Sequence, residues 1–150
     1  MNRIICIGNK YIPGDDIGPR VYDHLSRQRL PDNVQVIDGG LAGLNLLQFV
    51  ESARRVVFVD ALEKANPTGG RAVPYDHAAG LDYLLQVIPA VCKETPPEII
   101  LLGIESDADE QTIALAAEAC LKIVVRGYHE NLVPPLGRVT CSKLIFGNGS

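Results

Sequence analysis

The chain has 150 residues, the size of one ordinary domain, and its 47% hydrophobic and 21% charged residues can build a complete core. Its 14 Lys and Arg against 18 Asp and Glu leave a formal net charge of −4, and no basic stripe appears, which argues against nucleic acid or an anionic membrane surface as partner. No apolar run approaches the roughly 20 residues that span a bilayer, and four scattered cysteines without a C-x-x-C pair suit a reducing, cytoplasmic setting.

Residues 3–8 form a short β-branched run closed by Gly8-Asn9, a strand followed by a loop. Its apolar stretch is too short for a signal peptide, and Asn9-Lys10 and Asp15-Asp16 follow at once. Ile17, Val21 and Leu25 recur at helical spacing, which predicts a helix over 16–29, ended by Pro31-Asp32-Asn33. A second strand is expected over 34–37, closed by Asp38-Gly39-Gly40, and a short helix over 44–51. Arg-Val-Val-Phe-Val at 55–59 is the strongest strand pattern, ending on Asp60. Residues 63–74, with Pro67, Gly69, Gly70 and Pro74, read as a loop with room for a short edge strand. Leu81, Leu84, Leu85 and Ile88 mark an amphipathic helix that stops near Pro96-Pro97. A fourth strand over 98–102 ends at Gly103, and Ile113, Ala117, Cys120, Leu121 and Val124 define a last helix. From about Gly127 the periodicity is lost, and these residues read as a loosely organised tail. The alternation of strands and helices predicts a single α/β domain with a mainly parallel sheet covered on both faces.

In such a sheet ligands bind in the crevice at the carboxyl ends of the strands. Asp15 and Asp16, Asp38 and Asp60 all fall at expected strand ends, and His77 lies just before a helix. Two carboxylates and an imidazole suit an open divalent site for nickel, zinc or manganese. Plainer roles exist for each. Asp16 reads equally as an N-cap, Asp38 before two glycines is good turn chemistry, and a lone His before a helix is often a cap or solvated. Asp60 is harder to assign to a turn, because a carboxylate directly after Val-Val-Phe-Val needs a partner or a cleft to offset its desolvation. No G-x-G-x-x-G or G-x-x-x-x-G-K-[ST] phosphate loop and no G-x-S-x-G elbow is present, so nucleotide binding ranks below metal or peptide chemistry.

These residues fall into a familiar order. Ile7-Gly8-Asn9 followed by Gly14-Asp15-Asp16-Ile17-Gly18-Pro19 is similar to the opening of the hydrogenase maturation endopeptidases, the proteases that process the large subunit of nickel–iron hydrogenases. Asp38-Gly39-Gly40-Leu41-Ala42-Gly43 with Leu46-Leu47 resembles their second block, and Val57-Phe58-Val59-Asp60-Ala61 the third. His77-Ala78-Ala79-Gly80-Leu81 resembles the block that holds the family's histidine, and Leu101-Leu102-Gly103-Ile104-Glu105-Ser106 the strand and turn after it. The ordered blocks span roughly residues 4 to 125.

The resemblance implies a twisted, mainly parallel five-stranded sheet sandwiched between helices, of the phosphorylase/hydrolase-like kind. It implies an endopeptidase that clips a C-terminal extension from the hydrogenase large-subunit precursor after nickel is loaded. The metal-binding and catalytic set is carried onto Asp15, Asp60 and His77, with Asp38, Gly39 and Gly40 beside the substrate. Nickel is then supplied by the precursor and not held by the isolated protein, and the mechanism is either aspartic-type or metal-dependent. The acidic loop departs from the family spacing: five residues separate Asn9 from Asp15 and one separates Asp16 from Gly18. An ungapped match puts Asp15 at the ligand position, and a one-residue shift of the loop puts Asp16 there. A non-catalytic metal- or peptide-binding relative with a chaperone-like role in hydrogenase assembly is the alternative.

Overall fold

The computed structural model describes residues 1–62, 79–92, 96–132 and 138–144. Five strands form one sheet: β1 (Asn2–Ile7), β2 (Val34–Gly40), β3 (Arg55–Leu62), β4 (Glu98–Glu105) and β5 (Val139–Leu144), in the order β2-β1-β3-β4-β5. The first four run parallel, and β5 pairs antiparallel with β4. Helices α1 (Ile17–Ser26) and α4 (Glu110–Arg126) cover one face. A 3-10 turn (Leu44–Leu46) leading into α2 (Leu47–Glu51), together with α3 (Ala79–Val91), covers the other.

The two faces follow from alternation along the strands. Ile4, Cys6, Val57, Val59, Ile100 and Leu102 pack against Ile17, Val21 and Leu25 of α1 and Ile113, Ala117 and Cys120 of α4. Ile5, Ile7, Phe58, Ile99 and Leu101 turn the other way, toward Val50 of α2 and Leu81, Leu84 and Ile88 of α3. Burial on both sides is why the strands read as continuous apolar runs rather than alternating ones. Local signals place the ends of the elements. Asp109 caps α4 by accepting the Thr112 N–H at 2.8 Å, and α4 stops at Gly127 with φ +91°.

Four expectations need revision. The α1 helix ends at Ser26, three residues early, because no apolar residue beyond Leu25 returns to the core. Asp38-Gly39-Gly40 is not a turn: β2 runs through it, with the register against β1 slipping between Cys6 and Ile7. Both β3 and β4 continue past the expected stops at Asp60 and Gly103, pairing those two residues with each other. The tail after Gly127 is not loosely organised throughout, since residues 139–144 form β5. The possible edge strand over 63–74 lies outside the described residues.

Candidate active site

Strand order identifies where a site can form. The chain leaves β1 through α1 on one face and leaves β3 toward α3 on the other, and β1 and β3 are neighbours. Outgoing connections that part to opposite faces open a crevice at the carboxyl ends of the two strands. The β1–α1 loop carries Asp15 to that crevice, and β3 carries Asp60.

Asp15 is held from within its own loop. Its Oδ2 accepts the Asn9 N–H at 3.0 Å, and its own N–H donates to the Ile12 carbonyl at 3.0 Å. Asn9 Oδ1 in turn accepts the Tyr11 N–H at 2.9 Å. The loop closes directly over Gly8, whose φ is +148° and whose missing Cβ would collide with the Asp15 carbonyl oxygen. Only glycine fits there. Asp16 occupies the N-cap position of α1, but its side chain makes no capping hydrogen bond, so it fills the expected place without the expected bond.

Asp60 sits inside β3, 5% exposed. Its neighbours two residues either way, Phe58 and Leu62, set its direction. With them and Leu81 of α3, Leu101, Leu102 and Gly103 it lines a small internal cavity. Its Oδ1 accepts the Ala61 N–H at 2.8 Å. Asp60 thus belongs to the α2/α3 face, at the strand level just beyond the Cys6–Val59 pair.

Asp38 takes the opposite side. Val34 and Val36 pack in the α1/α4 core, and Asp38 continues their alternation, pairing in register with Cys6. The structure therefore does not set Asp38 beside Asp60. Asp38 is exposed, accepts the Gly40 N–H at 3.3 Å, and lines a cleft of about 280 Å³ with Gly8, Asn9, Lys10, Tyr11, Pro19, Gly40 and Leu41. Gly39 packs within β2 against Ile5 and Ile7, while Gly40 accepts the Gly8 N–H at 2.9 Å, joining the ends of β1 and β2. His77 lies outside the described residues. Among the described residues, no three His, Cys, Asp or Glu side chains are grouped closely enough to hold a metal ion.

Cys6, Cys120 and Cys141 are poorly suited to nucleophilic chemistry. Burial pushes the Cys6 and Cys120 thiols well up and Cys141 up to about 12, which removes the thiolate that nucleophilic or ligand chemistry needs. Lys10, Tyr11 and Leu41 line the cleft beside Asp38 without having been singled out from the sequence. The available signal was bulky hydrophobic side chains in the loops just after two strands.

An open, mainly parallel α/β sheet whose strand order reverses between β1 and β3 is the class of protein these features define. The HycI hydrogenase maturation protease family model matches residues 19–126, a span that includes Asp38, Asp60 and His77 and begins after Asp15 and Asp16. The hydrogenase 2 maturation protease of Escherichia coli is 28% identical over 127 residues, covering 75% of this chain and 77% of that protein. Hydrogenase expression/formation protein HupD of Bradyrhizobium diazoefficiens is 37% identical over 65 residues, 41% of this chain, but the match spans only 34% of that protein's length. Among solved structures, the hydrogenase maturating endopeptidase HybD of E. coli aligns with a TM-score of 0.62 at 24% identity, over 79% of this chain and 88% of that one. A hydrogenase 2 maturation peptidase from a Thaumarchaeota archaeon aligns at 0.52 and 26% identity, over 82% and 94%. The chain belongs to the hydrogenase maturation protease family.

Proposed function

We propose that the protein is an endopeptidase that removes the C-terminal extension of a hydrogenase large-subunit precursor, with nickel already held in that precursor serving as the recognition handle. The observation that carries this reading is a pair of carboxylates, Asp15 in the loop that follows β1 and Asp60 in the neighbouring strand β3, on the two strands that flank the crevice of a chain with this family membership.

Each residue has a physical part in the reading. The Asn9 N–H fixes one oxygen of Asp15, so the carboxylate is pre-oriented and its other oxygen is left to coordinate; ligands supported in this way bind metal more tightly. Asp60 brings a second carboxylate out of an apolar wall, where charge interactions are stronger than in water. His77 completes an incomplete ligand set that nickel carried by the substrate fills. Docking the metal then positions the scissile bond against the crevice, converting an encounter into an oriented reaction. The four free cysteines fit a reducing, cytoplasmic location. No helix among the described residues is long and apolar enough to cross a membrane.

The test is intact-mass measurement of a nickel-loaded precursor after incubation with the wild type and with His77→Ala. The wild type is expected to release the C-terminal peptide and the variant to leave the precursor whole. Unchanged cleavage by His77→Ala overturns the ligand set. A wild type that binds the precursor without shortening it overturns the protease reading in favour of a non-catalytic assembly factor.

A further inference from the structure

The cleft on the β2 side of the crevice has chemistry that the metal-handle reading leaves unused. Its two lips carry large apolar side chains left in water: Tyr11, 81% exposed on the β1–α1 loop, and Leu41, 69% exposed just after β2. Apolar groups gathered beside a concave surface mark a contact site. The backbone presents Leu41 deliberately. Gly40 and Ala42 flank it with φ of +53° and +60°, and Ala42 is itself buried, its N–H donating to the Gly39 carbonyl at 3.1 Å. A left-handed alanine is disfavoured for an L-residue, so the turn that pushes Leu41 outward is held by its surroundings and not by local preference.

Among the described residues the charge at the cleft is balanced. Lys10 stands over the Tyr11 ring, 5.2 Å from its centroid, and Asp38 is the one carboxylate among the described lining residues. This cation and this anion leave no net charge to select a charged side chain, and the walls favour an uncharged apolar one. A volume of about 280 Å³ is at the small end of ligand pockets and suits a side chain rather than a cofactor. The cleft is joined to the catalytic loop through Asn9, whose N–H holds Asp15 and whose side chain holds Tyr11.

We infer that the cleft between Tyr11 and Leu41 is a specificity subsite that takes an uncharged apolar side chain of the precursor peptide, one or two residues from the scissile bond. The spacing follows from the sheet. The cleft lies at the β1/β2 mouth, next to the β1/β3 crevice; strands are about 4.8 Å apart and an extended peptide advances about 3.3 Å per residue. The inference rests on the protease reading for the identity of the peptide, and binding tests it separately from cleavage.

A labelled peptide covering the C-terminal region of the large-subunit precursor is titrated by fluorescence anisotropy against the wild type, Tyr11→Ser, Leu41→Ser and, as a control on the exposed side of α4, Glu118→Gln. The first two are expected to weaken binding by roughly 10-fold each, as for a lost apolar contact, while Glu118→Gln binds the peptide like the wild type. A peptide with its Leu, Ile, Val, Phe and Met replaced by Ser should lose affinity for the wild type and not for Leu41→Ser. Unaltered affinity in both cleft variants, equal binding of the serine peptide, or no binding by the wild type overturns the subsite. Normal cleft dependence without any precursor cleavage leaves the subsite standing and overturns the protease reading. Both side chains are exposed, so unchanged thermal melts of the two serine variants show that the fold is intact.

Discussion

Asp15 and Asp16 are neighbours in the chain, yet the fold uses them differently. The backbone of Asn9 grips the Asp15 carboxylate, and Gly8 lets the Asp15 main chain press against the end of β1. The Asp16 side chain makes no bond to the helix it begins. On the proposed reading a ligand is fixed before the metal arrives, and this difference favours Asp15 over Asp16 for that role. Asp15→Ala is therefore expected to lower precursor processing at least 100-fold, a larger effect than the 10–100-fold typical of losing a ligand's supporting partner. Asp16→Ala should stay within a few-fold of the wild type. Initial rates of extension release for the two variants check the assignment, and the reverse order would transfer the ligand role to Asp16.

At the scale of elements, the strands that the sequence makes most legible are those buried on both faces. Val56-Val57-Phe58-Val59 and Ile99-Ile100-Leu101-Leu102 cannot be mistaken for surface segments. What resists reading is where such strands stop. Asp60 and Gly103 look like terminators in one dimension, but they pair with each other across β3 and β4, and two more residues follow on each strand. Asp38-Gly39-Gly40 has turn chemistry, yet Gly39 fits closely against Ile5 and Ile7 within the sheet. The hardest element is β5. Its sequence Val-Thr-Cys-Ser-Lys-Leu has only a half-buried edge to fill, so its apolar pattern is thin, and its pairing partner is far away in sequence. The candidate site was legible as a set of strand-end acids, but their faces were not. The one-residue phase that turns Asp60 toward α3 and Asp38 toward α1 comes from register, which composition does not encode.

That edge strand matters energetically. Between them, β3 and β5 bracket β4, whose residues from Ile99 to Ile104 are almost completely buried. Deleting residues 138–150 would expose an apolar edge that templates pairing with other chains. Such a truncation is expected to lose about 3 kcal/mol or more, roughly 6–12 °C in Tm for a chain of this size, and to scatter light in a concentration-dependent way. A truncated chain that melts like the full one and stays monomeric would show that β5 is dispensable.

Across the whole molecule, one ionic network ties the sheet to its helical cover. Arg55 of β3 donates to Glu98 of β4 at 2.8 Å and to the Val124 carbonyl of α4 at 3.0 Å, and Lys143 of β5 lies 3.6 Å from the same carboxylate. Burial alone would raise the Glu98 carboxyl, but the hydrogen bond and charge of Arg55, aided by Lys143, hold it below its ordinary value of 4.5. The unfolded chain therefore binds more protons than the folded one as pH falls below that value. The stabilisation is complete above about pH 4.5 and is lost as pH drops through the folded value. Thermal melts of the wild type and Glu98→Gln should differ most near neutral pH and converge on acidification; a gap that is constant with pH would remove Glu98 from the network's account.

The position of β5 in the chain also sets an order in time. Since β4 ends at Glu105 and β5 begins at Val139, a ribosome working at 5–20 residues per second needs about 2–7 s to make the partner of a strand already synthesised. For that interval the nascent protein holds an open apolar border, so its yield in the cell depends on the rate of translation and on chaperone cover over this stretch as well as on the stability of the finished fold.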